Sequence, residues 1–148
     1  VKTQLTDETL AKLVTHVTQT MLGMAFRVEQ KGHKDSEPLM RAAVLDVAGI
    51  PGIVVALSSS EESCAAIGAA MFMTTPEKVD HTMMNDSLSE LVNMTAGQIK
   101  NALSMDRTLG LPRVLSAGTK IDTEKGSWRT VRMTSGRNEL VLWLGETQ

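Results

Sequence analysis

Asp86-Ser-Leu-Ser-Glu90-Leu-Val-Asn93-Met-Thr-Ala-Gly97 lies inside the longest helical pattern of the chain, and its reading decides the fold. An α-helix turns about 100° per residue. With Asp86 at zero, Glu90 falls at about +40°, Asn93 at about −20° and Gly97 at about +20°. Lys100 and Ser104 continue the stripe at about −40° and 0°. Met84, Leu88, Leu91, Val92, Thr95, Ile99 and Leu103 centre on the opposite side. This is an amphipathic helix, one side on a core and the other carrying polar groups. Thr75 as cap and Pro76 at the first helical position predict its start, and the pattern runs to about Met105.

Working toward the N-terminus, Ser59-Ser-Glu-Glu62 opens a second helix, with capping-box spacing between Ser59 and Glu62. Ala66, Ile67, Ala70 and Met71 share one face of it, and it runs to about Met73. Ile53-Val-Val-Ala-Leu57 is a β-branched apolar run and predicts a buried strand. Met40 to Ala48 predicts its hairpin partner across the turn Gly49-Ile-Pro-Gly52. Gln30 to Pro38 is polar and predicts a loop, and Met24 to Glu29 a short strand. The first helix has Thr6 as N-cap and Asp7 and Glu8 in its first turn. Leu10, Leu13, Val14, Val17 and Met21 form its apolar face, and Gly23 is its C-cap.

Beyond the long helix, Gly110-Leu-Pro112 ends the helical region. Arg113 to Ile121, Trp128 to Thr134 and Asn138 to Leu144 predict three strands, the last two joined by Ser135-Gly136-Arg137. The tryptophans on these strands pack rather than bind. The fold class is α+β, with antiparallel sheet of about five to six strands packed against long helices, in one domain over residues 1–148.

Composition narrows the function. The chain has 148 residues, 42% hydrophobic and 22% charged, which is enough for a real core. A net charge of −2 without a basic cluster argues against nucleic acid. No run approaches the ~18 apolar residues of a membrane span, and Val1-Lys-Thr-Gln does not open a signal peptide. One cysteine permits no internal disulfide and fits a cytoplasmic location. With no Tyr, two Phe, two Trp and ten Met, methionine fills the core in place of aromatics.

Conventional catalytic sets are weak. Cys64 with His16, His33 or His81 could be a nucleophile and base, but a lone cysteine inside an amphipathic helix is more often a small core residue. Asp80, His81 and Glu90 could be metal ligands, yet His81 and Glu90 sit about 180° apart on a helix. Asp86 and Glu90 are an i, i+4 carboxylate pair, and a glycosidase would need aromatic walls that the sequence lacks. No phosphate-binding loop, Gly-x-Ser-x-Gly or dinucleotide fingerprint is present. The polar stripe could be a solvated face, except for Gly97. A mid-helix glycine costs about 1 kcal/mol relative to alanine, and one reason to keep it is the close approach of a partner.

Asp-x-x-x-Glu-x-x-Asn-x-x-x-Gly on a long helix resembles the CheC/CheX/FliY family of chemotaxis phosphatases. The phrase from Glu90 through Asn93 and Gly97 to Leu103 is most similar to CheX. So are Gly49-Ile-Pro-Gly52 before a β run, Ser59-Ser-Glu-Glu62 before an Ala-rich helix, and Gly110-Leu-Pro112 before an apolar strand with Gly118. The resemblance extends from about residue 5 to 145. CheC-like chains commonly carry two such motifs. This chain carries one, as CheX-like domains do.

The resemblance implies a phosphatase for the aspartyl phosphate of a CheY-like receiver. It makes Asn93 the residue that holds the attacking water and Glu90 the docking charge for the receiver's lysine. Asp86, Gly97 and Lys100 belong to the partner-binding face, with Gly97 leaving room. Mg²⁺ is expected on the partner receiver, with no cofactor bound by this chain. A homodimer formed through sheet edges is also implied. A non-catalytic adaptor holding a receiver on the same face is the alternative. A small-molecule sensor with a pocket between helices and sheet is a weaker third.

Overall fold

Strand β2 (Arg41–Val47) reverses into β3 (Gly52–Ser59), and the pair runs in register from Val47 opposite Ile53 to Arg41 opposite Ser59. The hairpin is antiparallel, as the flanking apolar runs predicted. In the computed structural model, residues 5–29, 41–49, 51–115 and 127–147 are described. The predicted 30–38 loop, His33, Met40, Gly118 and residues 116–121 of the fourth predicted strand lie outside them.

A second hairpin, β5 (Ser127–Ser135) and β6 (Asn138–Thr147), turns at Gly136-Arg137, where Gly136 has φ 60°. β6 pairs with β3, which joins the two hairpins into one sheet. With β1 (Arg27–Val28) and β4 (Arg113–Leu115) outermost, the six strands are ordered β1-β5-β6-β3-β2-β4, all antiparallel. The α+β expectation therefore holds, with six strands in a single sheet.

Strand alternation separates two faces. Leu45, Val55, Leu57, Val131, Leu140, Leu142 and their alternates face the main core under the helices. The other face carries Val44, Val54 and Ala56 with Leu115, Trp128 and Trp143. Trp143 Nε1 donates to Ser58 Oγ at 2.8 Å, and Trp128 lies over Gly145, where a Cβ would sit 2.7 Å from its ring. Both tryptophans pack, as expected.

Helix α1 (Asp7–Leu22) starts at Thr6, whose side chain accepts from Thr9 N, and ends at Gly23 with φ 70°. The strand predicted over Met24–Glu29 shrinks to Arg27–Val28. The reason is local. Thr18 Oγ1 donates to Met24 O at 2.7 Å and Thr15 Oγ1 accepts from Phe26 N at 2.9 Å, so α1 takes the groups that a sheet would have used.

Helix α2 (Glu61–Phe72) is capped by Ser60, which accepts from Ser63 N at 3.1 Å. The predicted capping box from Ser59 is corrected by one residue. Ser59 is still in β3, and its hydroxyl donates to Glu139 O of the neighbouring strand.

The long helix also starts later than predicted. Thr75 and Pro76 open only a 3-10 turn over Pro76–Lys78, and α3 (His81–Ala102) begins after Asp80, which accepts from Met83 N at 2.9 Å. Between them Val79 is extended and buried, set against Gly68 of α2, where a Cβ would lie 2.7 Å from Val79 Cγ1. Burying Val79 in that notch outweighs a continuous helix. At the other end Leu103 leaves helical geometry and Ser104 has φ 52°, so the stripe stops before Ser104. Met84, Leu88, Leu91, Val92, Thr95 and Ile99 are buried as expected, while Leu103 is only partly so.

Candidate functional site

The polar side of α3 is fixed by what holds the helix down. Its apolar side rests on β2, β3, α1 and α2. At its first turn Arg41, itself buried, ties three elements together. Arg41 Nη2 donates to Glu61 Oε1 at 2.9 Å and to His81 Nδ1 at 2.6 Å, and Nη1 donates to Asn85 Oδ1. β2, α2 and α3 therefore meet on one guanidinium, whose planar fork suits such a junction.

Asp86, Glu90 and Asn93 project from the far side and are exposed. None of the three has a side-chain hydrogen bond or ion pair to any described residue. They line an open groove of about 380 Å³ together with Ser89, Leu111 and Pro112. Its other wall is the 110–112 segment after the helix, which is pinned to β2. Gly110 N donates to Asp46 O at 2.7 Å, and Arg113 Nη1 pairs with Asp46 Oδ2 at 3.1 Å. Before it, Leu109 bridges to Val47.

The structure thus brings Asp86, Glu90 and Asn93 to one groove. Gly97 and Lys100 lie farther along the same helix and are partly buried, outside the groove lining. Beyond its own stretch of helix, a Cβ built on Gly97 would meet no atom of the described residues within 4 Å, so crowding among them does not require glycine there. Lys100 sits in the last turn of α3, where a cation complements the helix dipole. Ser89, Leu111 and Pro112 are groove residues that the sequence reading passed over. Leu111 was legible in hindsight as an apolar residue between a glycine and a proline, belonging to neither helix nor strand pattern.

The groove can offer a carboxamide, two carboxylates and an apolar side chain, with the carboxamide and carboxylates unpartnered among the described residues. A carboxamide donates and accepts, so Asn93 can orient a water but has no useful basicity. Cys64 lines no part of this groove. Cys64 is buried and its thiol is pushed up to about 12, chiefly by burial, which leaves almost no thiolate at neutral pH. Among the described residues no group of three His, Cys, Asp or Glu could hold a metal ion, and no helix is long and apolar enough to cross a membrane.

Solved structures share the fold. A chemotaxis protein CheX from Desulfovibrio desulfuricans is 20% identical, with a TM-score of 0.74 over 93% of this chain and 95% of that one. CheX from Vibrio vulnificus is 17% identical, with a TM-score of 0.78 over 93% of each chain. A CheX–CheY–BeF3–Mg²⁺ complex from Borrelia burgdorferi contains a chain 14% identical, with a TM-score of 0.74 over 94% of this chain and 96% of that one. No curated protein matches the chain by sequence. The family model for the chemotaxis phosphatase CheX matches residues 41–131, which span β2 to the middle of β5 and include the whole groove, and the chain belongs to the CheX family.

Proposed function

We propose that the chain removes the phosphoryl group from the aspartyl phosphate of a CheY-like response regulator. The observation that carries this reading is the pairing of Glu90 and Asn93, exposed and without partners among the described residues, on a helix whose opposite side is fixed in the core. Membership of the CheX family supports it, and the Borrelia complex shows a CheX together with a CheY.

In this reading the groove is half of an active site. Asn93 enters the receiver and holds a water in line with the phosphorus. The water oxygen bonds to phosphorus as the bond from phosphorus to the aspartyl oxygen breaks, giving inorganic phosphate and a free aspartate. Phosphoryl transfer depends mainly on alignment and charge stabilisation, so a positioning amide suffices. Glu90 pairs with a lysine on the receiver and sets its orientation. Asp86 adds negative charge to the same docking face, and the receiver supplies Mg²⁺.

The test is a time course of phosphate loss from phosphorylated CheY-like receivers of the source organism. Wild-type protein is expected to accelerate it. Asn93→Ala should lower kcat by about 100-fold or more with binding retained. Glu90→Ala should weaken binding and turnover together. The reading is overturned if wild type accelerates no receiver, or if Asn93→Ala turns over like wild type. Binding without acceleration would leave the adaptor reading in its place.

A further inference from the structure

We propose that Leu111 is an apolar anchor for the receiver, seated in an apolar recess of the partner beside its phosphorylated aspartate while Asn93 and Glu90 engage the polar centre. The proposal rests on the phosphatase reading and names a second contact for the same partner. A lone exposed leucine is ordinary on a protein surface. Two observations set this one apart. It is 87% exposed and lines the same groove as Asp86, Glu90 and Asn93, so a body docked on those groups meets it. It is also held out on a fixed support rather than on a loose loop.

That support is built from both sides. Gly110 N donates to Asp46 O at 2.7 Å, and a Cβ on Gly110 would lie only 3.0 Å from that oxygen. Ala48 N donates to Thr108 O at 2.9 Å just before it, and Pro112 restricts the backbone just after. The following residue, Arg113, enters β4 opposite Val44. A side chain presented on a fixed backbone loses little freedom on binding, which is what an interface anchor requires. The carboxylates of Asp86 and Glu90 beside it would repel an anionic lipid surface and suit a partner with basic groups, which selects a protein over a membrane.

The experiment titrates wild type, Leu111→Ala, Leu111→Gln and Leu111→Met onto a CheY-like receiver of the source organism loaded with beryllofluoride and Mg²⁺. Steady-state dephosphorylation is measured in parallel. Leu111→Ala and Leu111→Gln should raise Kd and KM by about 10-fold or more, the loss expected for an aliphatic side chain no longer buried. Their kcat should stay within about two-fold, which separates an anchor from Asn93, and Leu111→Met should restore most of the affinity. Unchanged melting temperatures would show that the losses do not come from folding. If wild type binds the receiver and Leu111→Ala and Leu111→Gln bind it equally well, the anchor is overturned and the phosphatase reading stands. If wild type neither binds nor dephosphorylates any receiver, the phosphatase reading fails and the anchor falls with it.

Discussion

Replacing Gly97 by alanine should make the protein more stable and a poorer binder. Beyond its own stretch of helix, the added Cβ meets no atom of the described residues within 4 Å, so none of them opposes the ordinary helix preference for alanine. That preference is about 0.8–1.0 kcal/mol in a helix interior. For a chain of this size it corresponds to a rise of about 2–4 °C in Tm. If glycine at 97 gives clearance to a docked receiver, the same methyl would occupy that space. Overpacking an interface costs about 1–3 kcal/mol, or roughly 5- to 150-fold in Kd. Chemical denaturation measures the first effect, and titration of a beryllofluoride-loaded receiver the second. Gly68→Ala is the contrasting control. There the Cβ would lie 2.7 Å from Val79 Cγ1, on a stiff β-branched side chain already buried, so the same substitution should lower stability by about 1 kcal/mol or more. Should Gly97→Ala gain stability and bind the receiver as tightly as wild type, clearance for a partner is not why glycine sits there. Should it lose stability, the account of an uncrowded helix surface is wrong as well.

Thr95 is fully buried on the core side of α3, and its Oγ1 has no partner among the described residues. Thr95→Val keeps the shape and removes the stranded hydroxyl, so denaturant titration should show a gain of about 1 kcal/mol, and a loss would mean that the hydroxyl is satisfied. Cys64 gives a pH signature. Its folded thiol is raised to about 12 by burial, from an ordinary value of 9.0 in the unfolded chain, so the protein should lose stability as pH rises above about 9. The unfolded chain then releases a proton that the folded chain keeps, at about 1.4 kcal/mol per pH unit. The chain has no tyrosine to blur that range, and Cys64→Ala should flatten the slope in pH-dependent denaturation. An identical slope in the variant would remove the thiol as its cause.

The sequence carried the architecture where periodicity was strong and the site where spacing was strong. Two tight turns exposed both hairpins, and the stripe from Asp86 to Asn93 emerged on one exposed side of α3. Hidden features were those settled by contacts between distant residues. Pro76 looked like a helix start, yet burying Val79 against Gly68 moved the start to His81. Met24 to Phe26 looked extended, yet two threonine hydroxyls of α1 claimed their backbone groups. The pairing of β3 with β6 is long-range and left no local mark. Leu111 was missed as a groove residue because no periodic pattern includes it. Its role depends on Asp46, which lies far away in the chain.

The pinning of the 110–112 segment to Asp46 has a consequence for how the groove is inherited. Both walls, the sheet floor on which α3 rests and the bonds that set the gap between them are drawn from residues 41–115, an unbroken run of the sequence. The C-terminal hairpin completes the sheet beside β3 and supplies none of the groove lining. The lining of the groove is therefore drawn from one run, with α1 the outside element packed against α3. Changes in β5 and β6 act on it through the fraction of molecules that are folded, whereas changes at Asp46, remote from the polar stripe, alter the width of its mouth directly.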